Sequence, residues 1–256
     1  MEKDPGLNTS SLVNSGRVKA LIIHLARATH RRPSVDGLIE ELPVETEIID
    51  AVDGANLTDN DIAQVYKRHL HAPKYPFRLR RSEIACFLSH RKAWQAIVDQ
   101  KLDAGLILED DISLTTDFAE VFDIAQKQIE PGGFIRFPMR EDRESGLEVF
   151  SDGKVRIIVP SPIGLRMMAQ LVSYEAAETL LSVTGKFDRP VDTTVQMKWI
   201  TGLQPHSIVP GGIKEISSML GGSTVQQRKT SLEKLKREVM RPIYRMRVRR
   251  YSSMPI

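Results

Sequence analysis

The chain has 256 residues, of which 41% are hydrophobic and 27% charged, with a formal net charge of +3. That length and composition support one sizeable hydrophobic core, and no apolar run approaches the roughly 20 residues of a membrane-spanning helix. The single cysteine, Cys86, excludes an intramolecular disulfide and a thiolate metal cluster, and it fits a reducing compartment such as the cytosol.

Residues 1–16 lack both the basic start and the apolar core of a signal peptide and are expected to form a disordered leader. RVKALIIHL (17–25) is an apolar run of the kind found in a strand buried on both faces of a parallel sheet. SVDGLIEEL carries a helical pattern, TEIIDAVDG predicts a second strand stopping at Asp53 and Gly54, and TDNDIAQVYKRHL predicts a helix capped by Thr58. HAPKYPFRLR is irregular because two prolines interrupt it. Ser82 is a candidate cap for a helix in SEIACFLSHRKAWQAIVDQ, which feeds the strand AGLILE.

Beyond that strand, TTDFAEVFDIAQKQI predicts a helix and FIRF a short strand, and Asp152-Gly153 between β-rich runs predicts a hairpin. RMMAQLVSYEAAETLLSV predicts a strand then a helix, and FDRPVDTTVQMKWI a loop entering a helix behind Pro190. The alternation of strands and helices predicts an α/β fold, a mostly parallel sheet with an appended antiparallel hairpin.

The informative stretch is LILEDDISL, where a buried strand ends in Glu109, Asp110 and Asp111. Clustered carboxylates raise one another's pKa and destabilise a fold unless something relieves them. In open α/β sheets ligands bind beyond the carboxyl ends of strands, and a divalent cation there removes the cost. Oxygen ligands suit Mg²⁺ or Mn²⁺, with substrate phosphates completing the shell. Strand alternation aims Glu109 and Asp111 to one side and Asp110 to the other. The competing explanation is that the acidic residues cap a following helix or lie in a solvated loop.

The segments ALIIHLARATHRR, IIDAVDG, SEIACFLSHRKAW and LILEDDISL follow one another in an order and spacing that resemble glycosyltransferase family 25, with RPVDTTVQ and PHSIVPGGIKEISSM resembling its later elements. The resemblance spans about residues 17 to 225. It implies a GT-A fold, a Rossmann-like nucleotide-sugar-binding domain, and an inverting enzyme that uses a UDP-sugar, commonly UDP-galactose, with Mn²⁺ or Mg²⁺. Glu109 and Asp111 are the expected metal ligands with Asp110 as their partner, and Arg27, Arg31, Asp53 and His90 are the expected donor contacts. An inverting transfer also needs a base for the acceptor hydroxyl. Asp192, in the matched RPVD element, is assigned that role, with an N-cap as its alternative. Asp188 and Glu215 are further contenders, and His206 is a possible added ligand. Cys86 reads as a small buried thiol rather than a nucleophile. Two positions depart from the family pattern, Ala85 where glycine is usual and Gln170 where an aromatic is usual, so sugar identity is not inherited.

Residues 228–250 hold ten Lys or Arg against Glu233 and Glu238, a local charge of +8 that leaves about −5 for the remainder. Residues 226–256 are expected to form a basic tail, with Pro242 breaking any long helix. The tail either is solvated or lies on an anionic membrane, which suits a lipid-linked or oligosaccharide acceptor and places the protein in the cytoplasm on the inner membrane face. No nucleic-acid-binding motif is present. A metal-dependent phosphoesterase and a non-catalytic nucleotide-sugar-binding protein are the rival functions.

Overall fold

The computed structural model describes residues 17–220 and 231–252, so the leader and the boundary near residue 225 lie outside the described residues. The chain begins with strand β1 (Val18–His24), a 3-10 turn (Thr29–Arg31), helix α1 (Arg32–Glu41) and strand β2 (Thr46–Asp50). Helices α2 (Asp59–Val65) and α3 (Arg81–Asp99) lead to β3 (Ala104–Glu109) and β4 (Ile112–Leu114). There follow α4 (Phe118–Gln128), β5 (Phe134–Arg136), the hairpin β6 (Gly146–Ser151) and β7 (Arg156–Pro160), β8 (Ala169–Ser173) and α5 (Tyr174–Val183). The chain closes with α6 (Val191–Val195), α7 (Lys198–Thr201), β9 (His206–Val209), β10 (Ile213–Glu215) and α8 (Ser231–Ser252).

Eight strands form one sheet in the order β2-β1-β3-β8-β5-β9-β7-β6, and β4 pairs with β10 in a separate ribbon. Only β8 and β7 run against the other strands of the large sheet, which is therefore mostly parallel in direction with the β6–β7 hairpin appended at its edge. Helices cover both faces, which is why the central strands read as unbroken apolar runs. Ala20, Ile22, Leu106, Leu108 and Leu171 pack with Val35, Leu38, Phe118 and Val121 on the α1 and α4 side. Their strand neighbours Leu21, Ile23, Ile107 and Val172 pack with Ile84, Phe87, Trp94, Ile97 and Leu180 on the α3 and α5 side. Gly105 permits the close approach of α3, because a Cβ there would lie 2.5 Å from the Ile97 side chain.

Three boundaries differ from expectation, two for a tertiary reason and one for a local one. The second strand stops at Asp50, and the residues after it are diverted by an Ala51 N–H bond to the His24 carbonyl and by the pairing of Asp53 with Arg27. Thr58 caps α2 as expected, but the helix ends at Val65 because Tyr66 bridges to Phe187. Ser82 lies inside α3 rather than capping it. The Arg80 N–H donates to the Glu83 carboxylate at 2.8 Å, so the acidic residue of the first turn supplies the cap.

The largest correction concerns the tail, where α8 runs through Pro242. An interior proline costs about 3 kcal/mol in an unsupported helix. Here Tyr244 and Val248 are buried against the body, Tyr244 packs edge-on to Tyr75, and Tyr251 meets Trp199. Arg189 donates to the Tyr244 hydroxyl at 2.7 Å. This docking offsets the missing backbone bond.

Candidate active site

The chain runs from β1 through α1 to β2 on one side and through α3 to β3 on the other, so its winding reverses between β1 and β3. The connections leaving such a pair diverge to opposite faces and open a crevice at the carboxyl ends of the strands. His24 closes β1 and Glu109 closes β3, with Ile23 in register with Glu109.

Asp110 turns inward at this crevice. One of its oxygens accepts from Arg31 at 2.6 Å and the other from His24 Nδ1 at 2.7 Å, and all three side chains are buried. Such short charge-assisted bonds lock the loop after β1 to the acidic turn. Sequence reasoning missed His24, whose only signal is that it is the polar residue ending an apolar strand. Arg27 and Asp53 form a forked ion pair, at 2.5 and 3.2 Å, between the loops that follow β1 and β2. The Arg27 bond, helped by the Ala55 N–H, holds the Asp53 carboxyl below its ordinary range. Beside these loops opens a cavity of about 320 Å³ lined by His24, Ala26, Thr29, Arg32, Ile48 and Asp50.

Glu109 and Asp111 lie on the other side of the turn. Glu109 Oε1 accepts from His90 Nε2 at 3.3 Å, and His90, itself buried, accepts at Nδ1 from the buried Gln170 amide at 3.4 Å. The departure at Gln170 thus touches a site residue. Asp111 has a buried Oδ1 with no hydrogen-bond partner. Burial, and next the charge of Glu109, push its carboxyl up from 3.8 to about 7, with Arg31 opposing and Asp110 and Glu215 adding to the rise. An orphaned carboxylate oxygen beside a second carboxylate is a donor set that fits a hard divalent cation. The acidic residues do not cap a helix, because β4 follows them and pairs antiparallel with β10. That pairing brings the Ile216 N–H to the Asp111 carbonyl at 2.8 Å.

Asp192 lies in the first turn of α6. Its Oδ1 accepts from the Thr193 N–H at 2.6 Å and its Oδ2 from the Arg166 N–H at 3.1 Å. Arg166, missed in the sequence, adopts a positive φ of 74° and pairs with Glu215, whose other oxygen accepts from Ser217 at 2.7 Å. One arginine therefore ties the Asp192 loop to the strand facing the acidic turn. Asp188 does not face this site, being fully buried against Arg189 at 2.6 Å and accepting from the His71 N–H. His206 begins β9 at the opposite end of the sheet, where burial lowers its pKa. Cys86 sits one turn before His90 on α3, and burial, with the charges of Glu109, Asp192 and Asp111, pushes its thiol well above the ordinary value.

The sequence model of the family described as "Glycosyltransferase family 25 (LPS biosynthesis protein)" matches residues 18–146, half of the chain. The human protein named Procollagen galactosyltransferase 2 is 32% identical over 100 residues, which cover 38% of this chain and 16% of that one. A Drosophila melanogaster protein named Glycosyltransferase 25 family member is 33% identical over 123 residues, covering 47% and 19%. A mouse protein named Inactive glycosyltransferase 25 family member 3 is 28% identical over 110 residues, covering 42% and 19%. The chain thus spans less than a fifth of the length of these relatives. Among solved structures, apo mouse xyloside xylosyltransferase 1 aligns at 15% identity with a TM-score of 0.33, over 73% of this chain and 77% of that one. The matched region runs from β1 into β6 and contains the crevice, Asp110 with its two partners, and the Glu109–Asp111 turn, and on that match the chain belongs to glycosyltransferase family 25.

Proposed function

We propose that the chain is an inverting GT-A glycosyltransferase that moves a hexose, galactose first, from a UDP-sugar to a saccharide acceptor in lipopolysaccharide or lipooligosaccharide biosynthesis. The observation that carries the reading is Asp111, a carboxylate with an orphaned buried oxygen beside Glu109 at the switch point of the sheet. The family description and the galactosyltransferase name of a relative support the pathway and the sugar.

In this reading Glu109 and Asp111 would hold Mn²⁺ or Mg²⁺, which would supply positive charge to the diphosphate leaving group. His90 orients the Glu109 carboxylate by donating from Nε2. The cavity at the ends of β1 and β2, lined by His24, Thr29, Arg32 and Asp50, receives the nucleoside; the Arg27–Asp53 pair joins the loops that follow those strands, and the Arg31–Asp110–His24 cluster keeps the first of them in place. Asp192 takes the proton from the acceptor hydroxyl as its oxygen bonds to the anomeric carbon and the bond from that carbon to the diphosphate oxygen breaks. A metal-dependent phosphoesterase is the alternative, and phosphate release from simple phosphoesters by the purified chain would favour it.

Calorimetric titration of UDP with Mn²⁺, repeated with EDTA, tests the donor site. Binding is expected only with the metal, and Asp192→Asn is expected to keep that binding while losing roughly 10²- to 10⁴-fold in transfer. UDP binding without sugar transfer by the unsubstituted chain would leave a nucleotide-sugar-binding protein.

Membrane contact rests on α8, whose exposed residues include Arg241, Arg245 and Arg249 with Val239 and Met246. No helix among the described residues is long and apolar enough to cross a membrane. Surface attachment at the inner face of the cytoplasmic membrane predicts cosedimentation with anionic vesicles that is lost in high salt. Equal sedimentation with neutral vesicles would overturn it.

A further inference from the structure

We infer that Cys86, His90 and Glu109 form a site for a soft divalent cation of the zinc class, chemically distinct from the all-oxygen pair of Glu109 and Asp111 and sharing Glu109 with it. Cys86 and His90 are four residues apart on α3, so both project from one helix face toward the end of β3. One ligand atom from each of the three residues lies within 4.8 Å of the others. Tetrahedral zinc with sulfur, nitrogen and oxygen ligands sets those separations at about 3.3–3.7 Å. His90 Nε2 and Glu109 Oε1 are already 3.3 Å apart, so this pair stands at the separation a tetrahedral cation sets between nitrogen and oxygen ligands.

Ligand chemistry separates this set from the oxygen site. Thiolate and imidazole favour Zn²⁺, whereas Mg²⁺ and Mn²⁺ prefer carboxylates and phosphates. Three protein ligands leave a fourth position open, as in zinc sites that exchange ligands.

The surroundings supply a second, independent observation. A histidine bound to metal through Nε2 carries its proton on Nδ1 and needs an acceptor there. Gln170 is fully buried, its amide faces His90 Nδ1 at 3.4 Å, and its Oε1 has no partner. A half-turn of the amide presents that oxygen to Nδ1–H. Without a cation, burial and the neighbouring carboxylates keep the Cys86 thiol protonated. A bound cation reverses that balance, and the thiol proton leaves to solvent.

The site does not depend on the glycosyltransferase reading, but one consequence does. Zinc held by Cys86 and His90 withdraws Glu109 from the oxygen pair and so inhibits Mn²⁺-dependent transfer.

The test uses the full chain without nucleotide. Cys86 is the only cysteine, so a sulfur-to-cobalt charge-transfer band on adding Co²⁺ can come only from it. The expected result is a band that saturates at one equivalent, disappears on adding Zn²⁺ and is absent in Cys86→Ser, together with zinc binding weakened roughly 100-fold in that variant. Zinc is also expected to protect Cys86 from alkylation in the unsubstituted chain. Cobalt binding without the band, or unchanged zinc affinity in Cys86→Ser, overturns the site. Mn²⁺-dependent UDP binding by the unsubstituted chain is read separately, so failure of the zinc site and failure of the donor-site reading are distinguishable.

Discussion

Asp111→Asn is expected to abolish cation-dependent sugar transfer, by roughly 10³-fold or more, while making the cation-free protein more stable at alkaline pH. The two effects share one cause, a carboxylate buried with an orphaned oxygen beside Glu109. Its folded value of about 7 lies above the ordinary 3.8. At pH below 3.8 both folded and unfolded states hold the proton and there is no penalty. Between 3.8 and about 7 the folded state alone holds the proton, so stability falls as pH rises, and above about 7 the loss is complete. A three-unit displacement bounds that loss at about 4 kcal/mol. Glu109 and Asp111 share the repulsion, and the new amide needs partners of its own. The expected gain is therefore about 1–2 kcal/mol at pH 8, or roughly 2–8 °C in melting temperature, vanishing towards pH 4. Thermal melts in EDTA at the two pH values and a transfer assay with Mn²⁺ check both halves. Normal turnover in the purified variant would sink the cation assignment, and equal melting at pH 8 would show that the carboxylate is already relieved within the protein.

Arg189→Met is expected to cost about 3–5 kcal/mol, the largest loss of stability anticipated from a single substitution here. Arg189 is fully buried, bonded to both oxygens of Asp188, to the carbonyls of His71 and Pro73 and to the Tyr244 hydroxyl. Methionine keeps much of the volume but leaves the Asp188 carboxylate without a counter-charge and the other acceptors without that donor. The double variant Asp188→Asn, Arg189→Met should recover part of the loss, because it removes the stranded charge. Urea denaturation provides the comparison. A double variant no more stable than Arg189→Met would assign the loss to the carbonyls and Tyr244 instead of the ion pair. The cluster joins α8 to the segment directly before Pro190 and Asp192, so the single variant should also reduce transfer even where it remains folded.

How much of this was legible in the sequence follows from the range of each interaction. Apolar runs such as ALIIHL and LILE determined the buried strands, because a strand covered on both faces must be apolar on both. Asp152-Gly153 marked the hairpin, Thr58 the α2 cap, and the three consecutive carboxylates the end of the sheet where charge gathers, each a local property of a few residues. The family-like segments were likewise readable in one dimension. The tertiary structure decided which acidic residue is paired and which is not. Asp110 is satisfied by Arg31 and His24, 79 and 86 positions away, while its neighbour Asp111 keeps an orphaned oxygen. No periodicity encodes such pairings, which exist only because β1 and β3 lie side by side in one register. The same reason governs α8. Pro242 reads locally as a helix breaker, and only the burial of Tyr244 and Val248 against residues far away in the chain lets the helix continue through it.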